Sequence, residues 1–302
     1  MRYGLDLGGT KIEIAALAGD GKLAARRRVA SPQGDYDATI AALRDLVLDT
    51  DKALGTTAPV GIGIPGTISP ATGLVKNANS VWLIGHPLDK DLAAAIGRPV
   101  RVANDADCFV LSEASDGAAA GARSVFGVIL GTGVGGGLVY EGRLIVGANS
   151  IAGEWGHNPL PDPRIEAGHD ERPGPRCYCG RSGCIESFLS GPGFARDHEL
   201  WTGAKLRAEQ IVAAAQAGDA AARASVARYA DRLARALATV VNLFDPEVIV
   251  FGGGMSNADF IYAEIPRLLP RYVFSDAVTT KIVRNLHGDS SGVRGAAWLW
   301  PA

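Results

Sequence analysis

The sequence predicts an α/β protein built as two related lobes, and three observations carry that reading. Short apolar strands alternate with amphipathic helical stretches and end in glycine turns. A strand, glycine turn, strand pattern at Asp6 to Leu17 recurs at Ser124 to Glu141. The chain's 302 residues are enough for two cores, since domains commonly run to ~100–200 residues each.

Composition narrows the function classes. The charge is balanced at a formal net −2 and suggests neither a nucleic-acid nor a membrane partner. No apolar run approaches the ~20 residues that span a bilayer, and a strand starts just after Met1, so the expectation is a cytoplasmic protein. The 39 glycines fall in a few runs instead of spreading as in a linker. Such runs mark tight turns at a ligand.

Taken in order, Arg2 to Leu7 reads as a strand, Gly8-Gly9-Thr10 as a turn and Lys11 to Leu17 as the returning strand. Backbone that approaches closely at Gly8 and Gly9, the Thr10 hydroxyl and the Lys11 cation suit a phosphate hairpin, with Asp6 placed to hold a hydrated Mg²⁺. An ordinary glycine turn fits the same residues. A third strand near Ala24 to Val29 precedes a helix over Tyr36 to Leu54, where Ile40, Leu43 and Val47 recur at helical spacing. Val60 to Ile64 is a buried strand ending in Pro65-Gly66-Thr67, and open α/β sheets bind ligands at such carboxyl ends. The loop Lys76 to Trp82 presents Asn79, which suits a sugar or any polar loop.

Pro99 to Ala103 is a further strand, and Asn104-Asp105 stands where it breaks into a helix from Ala106 to about Asp116. Asp105 can cap that helix or act as a general base on a substrate hydroxyl, and the two roles compete for the same oxygens. Cys108 on the helix reads as a small core residue. Ser124 to Leu130 is the next strand, followed by a run holding Gly131, Thr132, Gly133, Gly135 and Gly136. The chain returns from it as a strand and not as a helix, which excludes a dinucleotide fingerprint.

Gly153 to Glu186 carries metal chemistry. His157, Cys177, Cys179 and Cys184 form a complete tetrahedral set for Zn²⁺ with no position left for a catalytic water, so the metal reads as structural. A disulfide would leave one of the three cysteines over. Glu154 and Glu186 flank the set. Beyond it, Asp219 to Asn242 reads as a long core-facing helix, Val248 to Phe251 as a strand, and Gly252, Gly253 and Gly254 as a turn before a helix starting around Asn257. Such a turn fits the far side of a nucleotide. Gly292 to Trp300 reads as a last helix packing back on the first lobe.

Together, Asp6 to Lys11, Asn104-Asp105-Ala106, Gly131 to Gly133, Glu154 to His157, the three cysteines and Gly252 to Gly254 resemble the ROK sugar kinases of the actin-like ATPase (ribonuclease H-like) fold. Within that family the chain is similar to bacterial fructokinases of the manno(fructo)kinase type. Ile68 to Ser80, Ala152 to Pro161 and His287 to Trp300 carry this likeness. The resemblance implies transfer of a phosphoryl group from ATP, with Mg²⁺, to the 6-hydroxyl of a hexose, fructose first. Asp105 is then the base, and Gly66, Asn79, Asn104, Glu154, His157 and Glu186 lie at the sugar. N-acetylglucosamine and glucose are the alternative acceptors, and a homodimer is implied.

A sugar-responsive regulator of the same family needs a DNA-binding segment ahead of the first strand, and here only Met1 precedes it. The expected division is 1–118 with 290–302 as one lobe and 119–289 as the other. One departure from the family pattern is Asp107, where Asn is usual. Its carboxylate either raises the pKa of its neighbour or points to solvent.

Overall fold

The computed structural model describes residues 1–166 and 169–301. The chain forms two compact units: 1–121 with 137–152 and 286–302, and 122–136 with 153–285. Residues 137–152 thus group with the first unit, whereas the division read from the sequence put them with the second. Among the described residues, no helix is long and apolar enough to cross a membrane.

The first unit is a five-stranded sheet in the order β3-β2-β1-β4-β7. β1 (Arg2–Leu7) and β2 (Lys11–Leu17) are the expected hairpin, with Leu7 opposite Ile12. β3 (Leu23–Ala30) is the edge, and its exposed Arg27 and Arg28 keep that edge from pairing further. β4 (Val60–Ile64) and β7 (Val100–Asn104) continue the sheet in parallel. Between them lie a two-strand ladder, β5 (Thr67–Ile68) with β6 (Val75–Lys76), and a helix α2 (Leu88–Ile96). Helix α1 (Tyr36–Leu54) occupies the span its periodicity predicts; the Asp35 carboxylate caps its start and Gly55, at φ 63°, ends it.

Helix α3 (Asp105–Asp116) leaves β7 directly. Its far side meets α9 (Ser291–Trp298), which also lies on β1 and β4. Backbones touch at both faces of α9. A Cβ on Gly4 would sit 1.9 Å from the Val293 carbonyl, one on Gly61 1.9 Å from that of Ala296, and one on Gly295 1.6 Å from that of Cys108. Only glycine tolerates these approaches.

In the second unit β8 (Ser124–Leu130) runs parallel to β13 (Val248–Gly252), which pairs with β14 (Lys281–Arg284). β9 (Val134–Tyr140) begins in this unit and ends in the first, where it turns at Glu141-Gly142, both at positive φ, into β10 (Arg143–Leu144). A short antiparallel pair, β11 (Ile165–Glu166) with β12 (His169–Asp170), precedes the cysteine-bearing loop.

Helices α4 (Ile185–Leu189), α5 (Gly191–Thr202) and α6 (Ala208–Gln216) lead to α7 (Ala220–Phe244), which buries Leu233, Leu237 and Val241. Asp245 ends α7 in the left-handed conformation. The segment after the last glycine run is a 3₁₀ turn (Gly254–Asn257), so α8 starts at Phe260 (Phe260–Leu268) and not at Asn257.

One buried carboxylate holds the returning C-terminal segment to α3. Glu113 is fully buried and accepts from the amides of Ala118 (2.9 Å), Leu286 (2.9 Å) and His287 (3.1 Å) and from the Ser291 hydroxyl (2.8 Å). Glu113→Gln turns a donor against two of these donors. We expect it to lower unfolding stability by about 2 kcal/mol or more in urea titrations; a midpoint within error of wild type would show that the carboxylate is dispensable.

Candidate functional site

In the first unit the strand ends bring four of the expected residues together. Gly66, at φ 149°, lies so close to the following loop that a Cβ would meet the Lys76 carbonyl at 2.8 Å and the Ala78 side chain at 2.9 Å. The Asn79 amide donates to the Pro65 carbonyl (3.2 Å), which fixes the exposed Asn79 beside that turn. The Asn104 side chain donates to the Gly66 carbonyl (3.2 Å) and accepts from the Ala106 amide (2.8 Å).

Asn104 is therefore the helix cap, and the helix begins at Asp105, one residue earlier than expected. Asp105 also accepts from the Ala106 amide (2.8 Å) through one oxygen, and its side chain is exposed. Capping and base chemistry do not exclude one another, because Asn104 shares the amide. Asp107 does not point to solvent: it is buried, 8% exposed, on the same first turn. Burial, with the charges of Asp107, Asp6 and Asp105, pushes the Cys108 thiol well up, so it stays a neutral core group.

The β1–β2 turn lies in the same unit. The Gly8 amide donates to the Lys11 carbonyl (3.0 Å), the Gly9 carbonyl accepts from Gln33 (2.8 Å), and the space over Gly9 is open. Thr10 and Lys11 are exposed beside it. Burial and the Glu13 charge push the Asp6 carboxyl up, against Lys11 and Arg28. A bound divalent cation reverses such a shift.

In the second unit the four expected metal ligands converge. The ligand atoms of His157, Cys177, Cys179 and Cys184 all lie within 4.8 Å of one another. Cys177 Sγ is 3.6 Å from His157 Nδ1, and Cys179 Sγ is 3.6 Å from Cys184 Sγ. Around a tetrahedral Zn²⁺ with ordinary bond lengths these separations are about 3.6 Å and about 3.8 Å, so the donor set fits the ion.

Local structure explains the convergence. The Cys177 amide donates to the Arg181 carbonyl (2.8 Å), and Gly174 and Gly183 cross backbone on backbone, both at positive φ. Burial raises the Cys177 thiol and pushes Cys184 up to about 12. Backbone and side-chain bonds from Arg181 bring the exposed Cys179 down to about 6. A cation at the centre favours the thiolate at all three.

Glu186, on the first turn of α4, accepts from the Val134 amide (3.0 Å), and a Cβ on Gly133 would meet its carboxylate at 2.7 Å. His157 sits on a 3₁₀ turn (Trp155–His157) that follows the exposed Glu154. Its Nε2 is 3.1 Å from the Tyr178 hydroxyl. Tyr178 was not anticipated from the sequence, although its place between two ligands was the available signal. Burial and the charges of Glu186 and Glu154 push its hydroxyl up to about 12, so it remains a donor.

The glycine runs divide in role. A cavity of about 620 Å³ opens beside Gly131, Thr132 and Gly254, with apolar walls from Leu130, Ala195, Ala208 and Val212. Gly133, Gly135, Gly136, Gly252 and Gly253, expected at a nucleotide, do not line it. Gly133 underlies Glu186. A Cβ on Gly136 would strike Trp155 at 2.8 Å, and the Gly135 carbonyl accepts from the Trp155 indole (3.0 Å). Gly252 is a rung of β13 opposite Ile129. Gly253, at φ 78°, would place a Cβ 2.4 Å from the Leu130 carbonyl.

The sequence pattern of the ROK family matches residues 2–302. An N-acetyl-D-glucosamine kinase from Vibrio cholerae is 44% identical over 300 residues, covering 99% of this chain and 99% of that protein. Among solved structures, a ROK hexokinase from Thermus thermophilus superposes with a TM-score of 0.85 at 31% identity, over 98% of this chain and 96% of that one. A ROK glucokinase from Streptomyces griseus, in complex with glucose and AMPPNP, gives 0.75 at 27% identity over 99% and 98%.

Cys179→Ser removes the most exposed thiolate of the set. We expect the purified variant to lose most bound zinc, measured by mass spectrometry of the metal, and to melt at lower temperature than wild type. Full zinc occupancy with unchanged melting would remove Cys179 from the ligand set.

Proposed function

The chain belongs to the ROK family, and on that premise we propose that it transfers the terminal phosphoryl group of ATP to the 6-hydroxyl of a hexose, N-acetylglucosamine before others. The observation that carries this reading is the joining of Gly66, Asn79 and Asn104 around an exposed Asp105 at the start of α3. Asp105 has one oxygen steadied by the Ala106 amide, and its exposed side chain would take the proton. As the hydroxyl oxygen bonds to phosphorus, its proton passes to Asp105, and the bond to the bridging oxygen breaks to release ADP. Phosphoryl transfer of this loose kind asks the protein mainly for position and charge.

The apolar cavity of the second unit supports the nucleotide reading, since Ala195, Ala208 and Val212 suit a flat base and Thr132 and Gly254 offer a hydroxyl and backbone at its edge. Asp6 would hold Mg²⁺, which supplies charge neutralisation on the phosphates. His157, Cys177, Cys179 and Cys184 would hold Zn²⁺, which braces the loop that carries the sugar-contacting Glu186 and His157. Glu154 offers a third group on the same loop.

N-acetylglucosamine is preferred over the fructose expected from the sequence because relatives 42–44% identical along 99% of the chain are N-acetyl-D-glucosamine kinases. Fructose remains the second reading, on the three stretches at 68–80, 152–161 and 287–300. The sugar is decided by kcat/KM for N-acetylglucosamine, fructose, mannose and glucose in one coupled assay. N-acetylglucosamine is expected to lead; a higher value for fructose transfers the assignment to the second reading. Asp105→Asn is expected to lower kcat about 10²- to 10⁴-fold with little change in sugar binding by calorimetry. Near-normal turnover would remove Asp105 from the chemistry.

A further inference from the structure

The second unit holds another cavity, of about 820 Å³, that none of the roles above uses. It lies against α5 and α7 and beside residues 164–165 and 170–175. Six arginines line it: Arg164, Arg172, Arg196, Arg228, Arg232 and Arg235. The described lining supplies only four carboxylates, and three of them are shared. Glu171 accepts from Arg232 (2.7 Å) and Arg235 (3.1 Å), Asp197 from Arg228 (2.9 Å) and Arg232 (2.7 Å), and Asp231 from Arg235 (3.0 Å) and Arg164 (3.2 Å). The fourth, Asp170, pairs with Arg172 at 3.2 Å.

Two properties separate this array from an ordinary surface network. Arg232 and Arg235 are 7% and 2% exposed in their side chains, and the Arg228 guanidinium lies 4.0 Å from the Trp201 ring centroid, so the forks are held and not solvated. The lining also keeps a surplus of positive charge. Arg196 donates only to the Ser187 carbonyl, with no carboxylate of the described residues in ion-pair range. Fixed guanidinium forks match phosphate oxygens two at a time, and the exposed Arg196, with no carboxylate partner among the described residues, gains from an anion. The volume falls within the ~300–1,000 Å³ usual for small-molecule sites.

We propose that this cavity binds a compact phosphate-bearing anion, a sugar-sized phosphate monoester or free phosphate, at a site separate from the apolar cavity beside Gly131. The occupant bridges Arg196 and the shared arginines and completes their charge. Pro173, Gly174 and Pro175 line the same cavity, and Cys177 follows two residues later, so occupancy also steadies the approach to the metal loop. Binding here does not depend on the kinase reading, and an inactive protein would still show it.

Calorimetric titration of the full chain with inorganic phosphate and, separately, glucose 6-phosphate tests the site. Arg196→Gln is expected to weaken the anion about ten-fold while turnover at saturating substrates stays at the wild-type rate. Thr132→Ala, at the other cavity, is expected to leave the anion's affinity unchanged. Tighter binding of the ester than of phosphate assigns a metabolite, and equal affinities assign free phosphate. Should Arg196→Gln fail to fold, the exposed Arg172→Gln serves the same comparison. The proposal is overturned if the arginine variant binds as tightly as wild type, if Thr132→Ala alone loses binding, or if wild type binds neither anion.

Discussion

The first unit depends on the carboxylate of Glu113. It is buried on α3 and takes three backbone amides and a hydroxyl, three of those four donors belonging to the stretch that enters α9. Without that acceptor, ordering Leu286 to Ser291 would leave three donors unmet where the segment meets α3. With it, α9 is placed so that Gly4, Gly61 and Gly295 can meet its backbone and that of α3 directly. The sheet edge carrying Asp6, the Gly66 turn and the start of α3 thus rests on a helix late in the chain, held by Glu113 and by Asp116, which pairs with His287 and Arg294. The position of the candidate base follows from packing some distance away.

Much of the fold was legible because the local signals agreed with the global arrangement. The β1–β2 hairpin, α1, β4 and α7 lie where apolar periodicity and turn residues place them, and the His157, Cys177, Cys179 and Cys184 side chains expected at a metal converge. What was not legible depended on partners distant in the chain. The α2 helix is nine residues long, too short for periodicity to separate from a loop. Asn104 and Asp105 could both cap by residue type. Only the bond from Asn104 to the Gly66 carbonyl shows that Asn104 is held as the cap while Asp105 stays exposed.

Glycine illustrates the same limit more sharply. In sequence, Gly131 to Gly137 and Gly252 to Gly254 form uniform runs that read as cradles for phosphate. In the structure, the missing Cβ atoms make room for four different neighbours: the Glu186 carboxylate over Gly133, the Trp155 ring over Gly136, α3 against Gly137 and the Leu130 backbone against Gly253. Few of these glycines face open space. Gly133, Gly136, Gly137 and Gly253 are there so that an acid, an aromatic ring, a helix or another strand can come close, and the likeness of the runs hides the variety of those neighbours. The arginines of α7 give no signal in the sequence either, since the carboxylates at 171, 197 and 231 that pair with Arg228, Arg232 and Arg235 come together only in the fold.

β9 begins in one unit and finishes in the other, and the chain passes between the units at 121, 136, 152 and 285. Neither unit is a continuous segment. On the ribosome, β1 and β4 emerge long before the helix that covers them, because α9 follows the whole second unit in the chain. The first sheet must therefore wait, with one apolar face uncovered, through the making of nearly the whole second unit. That interval exposes a surface of the kind that chaperones bind. It also means that the order of synthesis and the order of folding are opposed for these two units: the one begun earlier is completed later.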